Sequence, residues 1–131
     1  MGQSKPINTH TILLVEDEAI IRFELADFFR DAGYEVFEAG DADEAIAVLS
    51  EDLSIRVVLT DIQLPGSMDG LKLAHYVRDR YPPTVLLLTS GGVHIEDGLL
   101  PRDSRFISKP FDATRILKQI EEMTRPSSKL C

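Results

Sequence analysis

Ile55-Arg56-Val57-Val58-Leu59-Thr60-Asp61 is an apolar run that closes on a carboxylate. Thr11-Ile12-Leu13-Leu14-Val15 closes on Glu16 and Asp17, and Arg105-Phe106-Ile107-Ser108 closes on Lys109-Pro110. Val85-Leu86-Leu87-Leu88 leads to the hydroxyl of Thr89. Unbroken apolar runs of this kind suit parallel strands covered by helices on both faces. If the four runs share one sheet, three carboxylates, an ammonium and a hydroxyl converge at its carboxyl edge. That edge is where open α/β sheets hold their ligands.

Outward from Asp61, strand-like and helix-like segments alternate five times. The strands are expected at about 11–16, 34–38, 55–60, 84–89 and 105–108. Residues 19–32 place Ile21, Leu25, Phe28 and Ala32 at helical spacing, and Gly33 stops that helix. Asp41 caps a second helix that turns Ala42, Ala45, Ile46 and Leu49 inward, with Glu44 completing a capping-box start. Asp69-Gly70 reads as a turn. Residues 69–81 put Leu73, Ala74, Val77 and Tyr81 on one stripe before Pro82-Pro83. Residues 112–124 start at the capping Asp112 and bury Ile116, Leu117, Ile120 and Met123. Between strands four and five, Gly91, Gly92, Gly98 and Pro101 leave only about 93–99 with helical character. A short or distorted turn is expected there.

Strands two and five mix polar with apolar residues, as edge strands do. The implied order is 2-1-3-4-5, a flavodoxin-like doubly wound (βα)5 fold with right-handed crossovers. The domain is expected over 11–124, between polar tails at 1–10 and 125–131 that read as flexible. At 131 residues the chain suits one domain. Hydrophobic residues at 44% and charged residues at 27% are the profile of a globular protein. A net charge of −8 disfavours non-specific binding to nucleic acid or anionic membrane. Cys131 is the single cysteine, and no apolar stretch approaches a membrane span or a signal peptide. A cytoplasmic location in a reducing compartment follows as the expectation.

Strand order 2-1-3 makes Asp17 and Asp61 face each other across the crevice. Magnesium binds through one or two carboxylates, waters and phosphate oxygens, so such a pair suits it. Asp61 is the candidate nucleophile, because an ionised carboxylate attacks phosphorus and holds the group as an acyl phosphate. The transferred group needs in-line positioning and neutralised oxygens. The metal, Lys109 and Thr89 would each meet one oxygen. Taken singly, these residues have blander readings. Glu16, Asp17 and Glu18 also suit a helix N-terminus, Asp61 a turn, and Lys109-Pro110 a loop. No two of His10, His75 and His94 have metal-ligand spacing, and neither GxGxxG nor GxxxxGK[ST] is present.

The motifs LLVEDE (13–18), LTDIQLPGSMDGL (59–71), LLTSG (87–91) and FISKPF (106–111) together resemble the receiver domain of two-component response regulators, over about residues 10–124. The resemblance implies that Asp61 is the phospho-acceptor and that Glu16 and Asp17 form the acidic pocket. It makes Thr89 the switch hydroxyl, Lys109 the family's lysine and Phe106 the aromatic switch position. It also implies that Mg2+ is held by Asp17, Asp61 and the backbone carbonyl of Gln63, with Glu16 acting through water, and that the Lys109-Pro110 bond is cis. Two features depart from the pattern. Gly66-Ser67-Met68-Asp69-Gly70 is one residue longer than usual, and the poor fourth helix weakens the family's common dimer face.

The resulting expectation is a single-domain receiver in a His-to-Asp relay rather than an enzyme. A sensor histidine kinase or histidine phosphotransfer protein supplies the phosphoryl group. Only seven residues follow helix five, so a separate protein target reads the state, or the domain acts as a phosphate sink. No DNA or membrane partner is expected, and no cofactor beyond Mg2+; the oligomeric state is left between monomer and weak dimer. A non-phosphorylated pseudo-receiver is the alternative, which the complete acid, hydroxyl and lysine set disfavours. An aspartyl phosphatase usually needs a second aspartate two residues past the nucleophile, where this chain has Gln63.

Overall fold

A computed structural model describes residues 10–92 and 95–124. The expectations for the tails, apart from His10, and for His94 and Cys131 lie outside the described residues. Strands β1 (Thr11–Val15), β2 (Glu35–Ala39), β3 (Val57–Asp61), β4 (Val85–Gly91) and β5 (Ser104–Lys109) pair in parallel. Their order is β2-β1-β3-β4-β5, as the edge-strand compositions implied. Every residue of β1 and β3 is buried, whereas β2 and β5 each leave positions exposed.

Helices α1 (Ala19–Asp31), α2 (Ala42–Glu51), α3 (Gly70–Arg80) and α4 (Ala113–Thr124) cover the two faces. Leu25 and Phe29 of α1 and Ile116 and Ile120 of α4 pack with Ile12, Leu14, Leu59, Leu87 and Ile107. On the other face, Ala45 and Leu49 of α2 and Leu73 and Val77 of α3 pack with Leu13, Val58, Leu86 and Leu88. Among the described residues no helix is long and apolar enough to cross a membrane.

The buried stripe of α1 differs from the expected one. Leu25, Ala26 and Phe29 are buried, Phe28 only partly so, and Ala32 is exposed. The helix ends at Asp31, and Gly33 turns the chain at φ 95° into β2, so Ala32 is already past the packed face. Phe29 instead meets Tyr34 edge to face, with ring centroids 5.2 Å apart. The Asp41 cap forms as expected, accepting from the Glu44 N–H at 2.9 Å, while the Glu44 carboxylate reaches back to the Gly40 N–H. Asp69-Gly70 is a helix start rather than a free turn: the Asp69 carboxylate accepts from the Lys72 N–H and caps α3.

Among the described residues, the glycine-rich connection between β4 and β5 holds a 3-10 turn, Asp97–Leu99, and no α-helix. Its downstream half is tied to α3. His75 Nε2 lies 2.8 Å from the Leu99 carbonyl. One turn on, the buried Arg78 guanidinium donates to the carbonyls of Arg102, Asp103, Pro82 and Thr84 at 2.6–3.3 Å. Buried carbonyls need partners, and one arginine supplies four of them. Arg78→Ala should therefore lower stability by about 3 kcal/mol in urea unfolding. Arg78→Lys should recover little, since an ammonium cannot span a planar fan of acceptors.

Candidate functional site

The carboxyl edge gathers its groups because β1, β3 and β5 all end there. Register pairs Asp61 with Thr89 and Gly91 with Lys109. Lys109 Nζ donates to Asp61 Oδ2 at 2.9 Å and to Glu16 Oε1 at 3.2 Å. Asp61 Oδ1 accepts from the Gln63 N–H at 3.1 Å, and Glu16 Oε2 from the Glu18 N–H at 3.1 Å. Glu16 and Asp61 are buried, whereas Asp17 is exposed at the mouth. The Lys109-Pro110 bond is cis.

The electrostatics of the cluster are unbalanced. Burial pushes the Glu16 carboxyl above its ordinary range; the Glu18 N–H pulls it back, the Asp61 charge raises it again, and Lys109 opposes both. Burial also works against the Lys109 ammonium, but its bonds and charge pairing with Asp61 and Glu16 outweigh that and hold it above the usual lysine value. One ammonium thus serves two buried carboxylates with a third beside them. Glu16, Asp17 and Asp61 each offer an oxygen within 4.8 Å of the others. An all-oxygen, anionic set this compact fits a hard divalent ion such as Mg2+.

The other anticipated residues divide. Thr89 is buried on the strand beside Asp61. Gln63 meets Asp61 through its N–H; a role for its carbonyl rests on the resemblance. Phe106 is half-buried and packs with Leu86 and Leu88. Alternation along β4 and β5 puts Thr89 on the opposite face, with Leu87 and Ile107.

Two residues escaped the reading of the sequence. Gly70 presses against the end of β3: a Cβ there would lie 1.8 Å from the Asp61 carbonyl oxygen. Its N–H donates to the Ile62 carbonyl at 2.7 Å. The Asp-Gly pair carried that signal but reads as a turn. Arg22 donates through Nη1 to the Glu16 carbonyl at 2.7 Å. As a polar residue on an amphipathic helix, it gives no sign of this from spacing.

Comparison with known proteins points to one family. The family model described as "Response regulator receiver domain" matches residues 12–121. Aerobic respiration control protein ArcA of Escherichia coli is 38% identical over 108 residues, covering 81% of this chain and 44% of ArcA. The crystal structure of the receiver domain of NtrX from Brucella abortus is 36% identical, with TM-score 0.79, covering 88% of this chain and 99% of that one. A response regulator receiver protein from Sinorhizobium medicae gives TM-score 0.81 at 29% identity, covering 86% of this chain and 92% of its own. The chain spans half or less of the length of the curated relatives it matches.

The contact at Gly70 yields a direct expectation. In Gly70→Ala, α3 must retreat from the Asp61 main chain, which should destabilise the fold by about 2 kcal/mol in urea unfolding. The same change at the open Gly98, where a Cβ meets nothing within 4 Å, should cost much less.

Proposed function

The chain belongs to the response regulator receiver domain family, and from that premise we propose that it accepts a phosphoryl group on Asp61 from a histidine kinase or histidine phosphotransfer protein, with Mg2+ bound by Asp17 and Asp61. The observation that carries this is Lys109 bridging Asp61 and Glu16 beside Asp17. Receiver domains are signalling modules of two-component systems, and the chemistry needed here is transfer to the protein itself.

One Asp61 carboxylate oxygen attacks the phosphorus of the phosphoimidazole. The P–N bond breaks, its electron pair returns to the imidazole, and an acyl phosphate remains on Asp61. Asp17, Asp61 and the Gln63 carbonyl, with Glu16 acting through water, would hold Mg2+, which would supply positive charge to neutralise the phosphoryl oxygens. The Lys109 ammonium follows the developing negative charge, and the Thr89 hydroxyl donates to a phosphoryl oxygen. The donor protein is placed over α1. Ile20 and Phe23 stand exposed there, and a groove of about 420 Å3 lined by Ile21, Glu24, Lys109, Pro110 and Phe111 opens beside the site. Such an apolar rim around a charged mouth suits a transient protein partner.

Readout passes through the β4–β5 connection to a partner protein. Thr89 moves toward the phosphoryl group and draws the adjacent main chain with it. Because Phe106 lies on the other face of the sheet, it responds to the displaced Ser90 rather than to Thr89 directly. Ser90 Oγ is buried without a hydrogen-bond partner among the described residues, so little holds it in place. The His75 and Arg78 bonds confine the change to the part of the connection before Leu99. The net charge of −8 sets the domain against DNA contact of its own.

Incubation with a small phosphodonor and Mg2+ should add one phosphoryl mass to the wild type and none to Asp61→Asn; equal adducts on both would refute the acceptor. In the beryllofluoride-bound state, hydrogen exchange should slow at Ser90–Gly92 and Ile95–Gly98 and stay unchanged at Arg102 and Asp103. Uniform exchange across both parts in the two states would assign the readout to another surface.

A further inference from the structure

Arg22 makes two bonds that the phosphoryl chemistry does not call on. Its Nη1 donates to the Glu16 carbonyl at 2.7 Å, and its Nε to Glu38 Oε1 on β2 at 3.1 Å. Arg30 Nη2 holds the other Glu38 oxygen at 3.3 Å. On its opposite side, Glu16 donates its N–H to the Ala39 carbonyl at 3.0 Å. Both main-chain polar atoms of Glu16 are thus anchored, directly or through Arg22, to strand β2. The anchored carbonyl belongs to the peptide unit that carries Asp17.

Asp17 has no comparable support of its own. Its side chain is exposed, and among the described residues none hydrogen-bonds its carboxylate. Its place beside Glu16 and Asp61 is therefore inherited from the main chain. We propose that Arg22 is a positioning residue for the divalent cation: anchored by Glu38, it fixes the Glu16–Asp17 peptide so that Asp17 is presented to the metal. This rests on the reading of Asp17 and Asp61 as the Mg2+ ligands.

Charge and position pull in opposite directions here, and the sign separates them. A guanidinium beside carboxylates repels a divalent ion, so by charge alone its removal tightens Mg2+ binding. By position, its removal loosens binding, and groups that orient metal ligands are typically worth 10–100-fold in affinity. Arg22→Lys keeps the charge but loses the planar fork that reaches both oxygens.

The test is an NMR titration of the full chain with MgCl2 at constant ionic strength, for wild type, Arg22→Ala, Arg22→Lys and Asp17→Asn. Thermal unfolding of each establishes that it is folded. The expected result is Mg2+ affinity about tenfold weaker in both folded Arg22 variants. Unchanged or tighter binding in Arg22→Ala, even with a lowered unfolding midpoint, would show a merely structural role and overturn the proposal. If Arg22→Ala does not fold, Arg22→Lys decides by the same criterion. A wild type that binds no Mg2+, or an Asp17→Asn that binds as well as wild type, would instead remove the metal reading, and the role of Arg22 with it.

Discussion

The Lys109 ammonium, shared between the buried carboxylates of Asp61 and Glu16 at 2.9 and 3.2 Å, is the interaction on which the rest of the molecule is organised. Carboxylates at the end of a buried strand lose hydration, and that loss is tolerated only where hydrogen bonds and opposite charge replace it. The ammonium arrives on β5, two strands away from β3, so the acids can be satisfied only once the sheet has closed in the order β2-β1-β3-β4-β5. Folding and site assembly are the same event here. The remaining imbalance, three acids against one lysine, is a charge set that suits a hard divalent cation.

Support for that edge comes from opposite directions. Gly70 lets α3 touch the main chain of Asp61, and Arg22 ties the Glu16 peptide to β2. At the far end of α3, Arg78 gathers four carbonyls and fixes the entry to β5. Between these fixed points, the described residues of the β4–β5 connection hold the 3-10 turn Asp97–Leu99.

Much of this was legible in the residues because strand burial writes itself into composition. The apolar runs at Ile12–Val15 and Val57–Leu59 marked interior strands, and the mixed runs marked edges. The carboxyl-edge groups followed from where those runs end, and the glycines and proline of 91–101 forecast the short turn seen at Asp97–Leu99. What escaped depends on three-dimensional closeness with no periodic trace. Phe29, four residues past the buried Leu25, faces the core more fully than Phe28, and its ring meets Tyr34 edge to face, a contact that spacing alone does not reveal. Arg22 and Arg78 look like solvated helix residues, and their carbonyl partners lie outside their own helices, 4 to 25 positions away. The facing of Phe106 away from Thr89 needed strand register, which fixes alternation only once pairing is known.

The central claim, that an under-neutralised acid cluster waits for a divalent cation, is tested most directly by thermal unfolding of wild type and Asp17→Asn, with MgCl2 or with KCl at matched ionic strength. A cation that binds only the folded cluster raises the unfolding midpoint with concentration, as mass action requires. The account predicts a clear Mg2+-dependent rise for wild type and little for Asp17→Asn, with the metal-free variant at least as stable as wild type because one repulsive charge is gone. A wild-type midpoint indifferent to Mg2+, or an Asp17→Asn that responds just as fully, would contradict it.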